Sequence, residues 1–101
     1  IFMLYEVSYH PDIVKDLQKI PKNLKETIKR AIEERLLTNP ETVSEPLKRD
    51  LKGYRKLRVG HYRVIHKIQG NSIFILKIGN RRDVYKKIIS RINFPGWAQA
   101  S

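Results

Sequence analysis

Between Tyr54 and Arg63 the chain carries Arg55, Lys56, Arg58 and Arg63 in a ten-residue run that alternates like a strand and turns at Gly60. Read with period two, Leu57 and Val59 face one way while Tyr54, Lys56 and Arg58 face the other. A two-residue turn at Gly60-His61 sets Val59 opposite Tyr62, Leu57 opposite Val64 and Arg58 opposite Arg63. Like charges facing each other across a ladder destabilise it, so this hairpin is built to meet a polyanion. RNA carries its own nucleophile in the 2′-OH. A catalyst must take that proton, stabilise the charge added at phosphorus and protonate the leaving oxygen. Arginine suits the second task because its planar fork holds two phosphate oxygens and stays charged, which singles out Arg63 and Arg81. Lys56 and a tyrosine near these cations suit the proton transfers, and the surrounding positive field is expected to lower that tyrosine's pKa.

Other chemistries find less support. His10, His61 and His66 show no ligand spacing with each other or with acids, and the chain has no Cys, so no metal site and no cofactor are expected. Val59-Gly60-His61 and Ile78-Gly79-Asn80 lack the Gly-Lys-Ser/Thr ending of a nucleotide-binding loop. No nucleophile elbow is present, and the acids fall mostly among helix charges.

The elements that must position the cationic residues follow from pattern. The first strand is expected over 3–9, a helix from Pro11 that breaks at Pro21, and a second helix over 22–38. Leu24, Ile28, Ala31, Ile32, Leu36 and Leu37 form the apolar stripe of that second helix. A polar connection containing Pro46 leads to strands over 51–59, 61–69 and 72–80, joined by short turns into an antiparallel meander. A three-residue loop, Gln69-Gly70-Asn71, places Lys77 opposite Arg63, so that Arg58, Arg63 and Lys77 form one row on the face away from the helices. A short helix over 82–91 ends the domain. The fold class is α+β: a small antiparallel sheet packed on an N-terminal helical hairpin, in the order β-α-α-β-β-β plus a C-terminal helix.

Composition sets the outer limits. The 101 residues suit one domain, expected over 3–91. Ile1-Phe2 are read as an expression remnant because Met3 is the only methionine, and 92–101 as an irregular tail. Lys and Arg total 21 against 10 acids, a formal charge of +11 that points to nucleic acid or another polyanion. No apolar run approaches the roughly 20 residues that span a bilayer, and a cytoplasmic protein with no membrane partner is expected.

Leu51-Lys52-Gly53-Tyr54-Arg55-Lys56-Leu57-Arg58-Val59-Gly60-His61-Tyr62-Arg63-Val64-Ile65 resembles the central hairpin of RelE/ParE-superfamily toxins, and Ile78-Gly79-Asn80-Arg81-Arg82-Asp83-Val84-Tyr85 resembles their C-terminal motif. The resemblance implies the toxin of a type II toxin-antitoxin system: a metal-independent, ribosome-dependent mRNA endonuclease that cuts message in the ribosomal A site. It implies a cognate RelB-like antitoxin, bound across the toxin through a helical segment, and the ribosome and mRNA as partners. Carried over by position, the catalytic set is Lys56, Arg63, Arg81 and Tyr85. RNA contacts are expected from Tyr54, Arg55, Arg58, His61, Lys77, Asn80 and Arg82. Two positions depart from the pattern: many members carry His at the place of Asn80, and some a basic residue at the place of Tyr54. Two other readings stay open, a ParE-like inhibitor of DNA gyrase and a non-catalytic nucleic-acid-binding module.

Overall fold

The computed structural model describes residues 5–98; the suspected remnant Ile1-Phe2 lies outside them. Strand β1 (Glu6–Tyr9) leads into helices α1 (Ile13–Gln18) and α2 (Lys22–Ala31), and α2 runs on as a π-helical turn, Ile32–Leu36. The π geometry is visible in the bond from Leu37 N–H to the Ile32 carbonyl, 2.9 Å. Pro21 separates the two helices because its ring removes a donor and restricts Ile20. After α3 (Pro40–Val43) come β2 (Ser44–Pro46), β3 (Arg55–Val59), β4 (Tyr62–Gln69), β5 (Ser72–Asn80) and α4 (Ile88–Ile92).

The five strands form one mixed sheet in the order β1-β5-β4-β3-β2. The α+β class holds, but the sheet is not wholly antiparallel: β1 lies parallel to β5, pairing Glu6 with Ser72 and Tyr9 with Ile75. A parallel partner some 65 positions away leaves no local sign in a sequence. Strand β2 lies in what reads as a loop because Pro46 argues against a strand, and an edge strand tolerates it. The strand expected from residue 51 begins at Arg55, since Gly53 takes φ +97° and a 3₁₀ turn occupies Arg49–Leu51.

The first hairpin has the expected register, with Val59 opposite Tyr62, Leu57 opposite Val64 and Arg58 opposite Arg63. Gly60 supplies the positive φ, +60°, that the turn requires. The second does not. Gln69 pairs directly with Ser72 across a two-residue turn, and a bulge falls between Ile65 and His66, where Leu76 is extra. Lys77 therefore stands opposite Ile65, and Arg63 faces Gly79.

Both faces of the sheet are covered. On the helix side Leu57, Val64, Ile73 and Ile75 are fully buried with Ile28, Ile32 and Leu36. On the other side Ile65 and Leu76 pack with Tyr54, Val84, Ile88 and Trp97. Each such aliphatic side chain contributes about 1.5–3 kcal/mol of burial. The segment after β5, read in sequence as a short helix and a loose tail, is a strap across the sheet: turns through residues 81–87, then α4, then Trp97 docked. Trp97 Nε1–H donates to the Tyr54 hydroxyl at 2.9 Å, and its ring meets His10 and Phe74 at 4.9 and 5.8 Å. No described helix is long and apolar enough to cross a membrane.

Candidate nucleic-acid interface

Arg63, half-buried on β4, is held by its own hairpin. One terminal guanidinium nitrogen donates to the carbonyls of Gly60 and Tyr62, at 3.0 and 2.9 Å. Both acceptors are neutral, so the charge stays uncompensated while its direction is fixed. Opposite it, Gly79 has no side chain, and the strap passes there: a Cβ on Gly79 would lie 3.4 Å from the Val84 Cα. Val84 is fully buried, which anchors the next residue, Tyr85, beside the arginines.

Tyr85 is partly exposed, and the charges of Arg63 and Arg58 both act on its hydroxyl. Its pKa is nonetheless raised, because burial outweighs the two arginines and Glu45 adds to the rise. This reverses the expectation of a lowered tyrosine: even partial removal from water costs the phenolate more than the two arginines return. At neutral pH the phenol is a proton donor.

Arg58 is not bare. Its Nε lies 2.9 Å from Glu45 Oε1 in an exposed ion pair, worth about 0–1 kcal/mol and easily exchanged. Glu45 sits on β2, so reading 44–46 as loop hid this acid. Lys56 is half-buried on the same face and makes no ion pair or side-chain hydrogen bond among the described residues. Arg81 and Arg82 are exposed at the start of the strap. The Arg81 N–H donates to the His61 carbonyl at 2.8 Å, tying the strap to the hairpin tip where His61 itself is exposed.

Other expected RNA contacts are placed elsewhere. Tyr54 is buried beneath Trp97, and burial raises its pKa despite the hydrogen bond from the indole. Arg55 belongs to the helix-side face and donates to Ser44 Oγ and to the carbonyls of Ser44 and Glu41, at 2.8, 2.8 and 3.0 Å. It braces β2 and α3. Asn80 forms the turn: its Oδ1 accepts from the N–H groups of Arg82 and Asp83 at 3.0 and 2.9 Å, and its Nδ2 donates to Asp83 at 3.1 Å. Lys77 donates to the Lys86 carbonyl and so holds the strap. Among the described residues no cluster of three or more His, Cys, Asp or Glu side chains could hold a metal ion.

The family model described as the ParE toxin of the type II toxin-antitoxin system parDE matches residues 7–85. The chain belongs to this family. Within it the toxin is 30% identical over 84 residues to Toxin RelE of Mycobacterium tuberculosis, a match covering 81% of this chain and 87% of that one. It is also 30% identical over 86 residues to Toxin RelE3 of Methanocaldococcus jannaschii, covering 79% and 94%. The fold matches a chain of the RelBE2 toxin-antitoxin complex of M. tuberculosis with a TM-score of 0.72 at 28% identity, over 76% of this chain and 98% of the other. It is thus a type II toxin of the RelE/ParE superfamily.

Proposed function

We propose that this toxin is an mRNA endonuclease that acts on message in the ribosome without a metal ion and thereby stops translation. The observation that carries the reading is the convergence of Arg63, Arg58 and Tyr85 from β4, β3 and the strap onto one sheet face. Arg63, with Arg81 from the start of the strap, holds the scissile phosphate. The 2′-oxygen attacks phosphorus and gives up its proton, the bond to the 5′-oxygen breaks, and a 2′,3′-cyclic phosphate and a 5′-OH result. Tyr85, neutral at physiological pH, donates to the departing 5′-oxygen. Lys56 either takes the proton from the 2′-OH as a neutral amine or, charged, offsets the charge added at phosphorus while that proton passes to solvent.

Solved relatives include toxins in complex with their antitoxins, RelBE2 of M. tuberculosis and RelB-RelE of Methanococcus jannaschii, and the charge of +11 suits an acidic partner. A RelB-like antitoxin with a helical segment is the proposed inhibitor. Mapping of message ends in a translation extract tests the nuclease reading: cuts arise only in translated message, and Arg63→Ala with Arg81→Ala abolishes them while the fold persists. The ParE name of the matched family supports one second reading, inhibition of DNA gyrase. Intact message together with blocked DNA supercoiling decides for it.

A further inference from the structure

Where β1 ends, the far half of β5 borders a cleft of about 360 Å³. Four lysines from three parts of the chain line it: Lys19 after α1, Lys77 on β5, and Lys86 and Lys87 on the strap. Its two acids are already engaged. Asp16 is held by Arg91 and by the Ile78 N–H, and Asp83 by Lys86 and Asn80. Lys19, Lys77 and Lys87 make no ion pair among the described residues.

Lys77 is the informative member. Its ammonium is half-buried and has only a neutral carbonyl, that of Lys86, as acceptor. Burial lowers its pKa first, then the charges of Arg91 and Lys19; Asp16 and Asp83 oppose this only in part. A partly buried cation therefore sits in a field that is already positive, which an incoming anion would relieve. Lys87 adds a backbone observation: it holds φ +58°, a left-handed conformation that strains a non-glycine residue. Glycine would fill that place without strain and would lack the amine.

We propose that this cleft holds a backbone phosphate of single-stranded RNA, the one next to the phosphate gripped at Arg63. The inference rests on the RNA-cleaving reading of the neighbouring face. Gly79 lies across from Arg63, and Lys77 follows two residues further along β5 on the same face, its backbone about 7 Å from that of Gly79, with Val84 of the strap packed at Gly79 between them. Mobile ammonium groups suit a contact that fixes the strand's path without reading its bases. Lys19 and Lys87 thereby join the interface from elements outside both family-like motifs.

The probe is a 2′-O-methyl oligoribonucleotide, which cannot be cut by its own 2′-oxygen. Its affinity is measured by fluorescence anisotropy from 50 to 200 mM salt for the wild type, Lys77→Gln/Lys87→Gln, the Arg/Arg counterpart and Lys19→Gln. Losing one phosphate contact makes the slope of log affinity against log salt shallower by about 0.7. The Gln pair is expected to show that change with several-fold weaker binding at low salt, the Arg pair to restore it, and Lys19→Gln, which lines the cleft from the end of α1, to show part of it. An unchanged slope and affinity in the Gln pair overturns the proposal, as does a wild type that does not bind the oligomer. A Gln pair that loses only a glutamate-rich peptide overturns it too, and makes the cleft a protein contact. Message cleavage is scored separately: its absence alongside the altered slope retires the nuclease reading and leaves the cleft standing.

Discussion

Arg91 grips Asp16 with both ends of its guanidinium, at 2.6 and 2.7 Å, and the two residues together close the open edge of β5. Strand β1 stops at Tyr9, so on the side away from β4 the β5 groups beyond Ile75 have no strand beside them. Asp16 accepts from the Ile78 N–H at 2.9 Å, and Arg91 donates to the Leu76 carbonyl at 3.1 Å. His10 completes the clasp: its Nδ1 accepts from the Asp12 N–H, so its Nε2 donates to the Arg91 carbonyl at 3.0 Å.

Arg91→Ala is expected to destabilise the protein strongly. The pair is nearly enclosed, with side chains 12% and 7% exposed, and removing the cation strands a buried carboxylate. Loss of one partner from such a pair costs about 3–5 kcal/mol. Urea unfolding reads it directly, and a change below about 1 kcal/mol would show that water replaces the guanidinium.

Trp97 is the only tryptophan, so its fluorescence reports the strap. Trp97→Phe keeps most of the ring and removes the donor to Tyr54, with an expected cost of about 1 kcal/mol. Trp97→Ala should cost about 3–5 kcal/mol. If both variants match the wild type in thermal unfolding followed by circular dichroism, the strap is not part of the cooperative fold.

His66 makes stability depend on pH. It is fully buried; Nδ1 bonds the Val64 carbonyl at 3.0 Å, and Nε2 has no partner. Its pKa falls to about 4, through burial first, with the nearby Arg55 adding to the fall against the Val64 bond. Below the ordinary value the unfolded chain binds the proton better, so stability is complete above pH 6.5 and declines from there toward pH 4. The full loss from this residue is about 3 kcal/mol. Unfolding at pH 7 and 4.5 should differ less in His66→Gln than in the wild type; equal differences would clear His66 of the effect.

Tyr85→Phe should lower the rate of message cleavage by about 10²-fold or more if the phenol protonates the leaving oxygen. Because its pKa is raised, no alkaline fall in rate below pH 10 should belong to this group. A fall there that vanishes in Tyr85→Phe would contradict the donor role.

Asn80→Ala removes the acceptor of two backbone N–H groups and should cost about 1 kcal/mol, with lower cleavage through misplaced Arg81 and Tyr85. Asn80→Asp keeps the acceptor and should retain more of both. Equal losses in the two variants would give the amide a role in chemistry beyond its turn.

Local pattern carried the central hairpin, because Gly60 fixes its turn and Leu57 and Val59 leave one register with a buried face. It carried the two successive helices for the same reason. It failed at Lys77, where the extra residue Leu76 resets the alternation and nothing local announces a bulge. Tyr54 and Arg55 look alike in sequence as flanks of a cationic run, yet each is occupied by a distant partner, Trp97 or Ser44. The tyrosine in the site was legible as a residue type. Its ionisation was not, since how far a side chain is withdrawn from water depends on the tertiary packing around it.

The clasp at β5 also sets an order of events during synthesis. His10 and Asp16 emerge early, but the residue that both of them bind, Arg91, is made 75 positions after Asp16. At about 5–20 residues per second that gap is several seconds. Strand β5 ends at Asn80, so its free edge waits only the last eleven of those residues, about 0.5–2 s, for Arg91, whereas Asp16 and His10 wait through the whole gap for their partner.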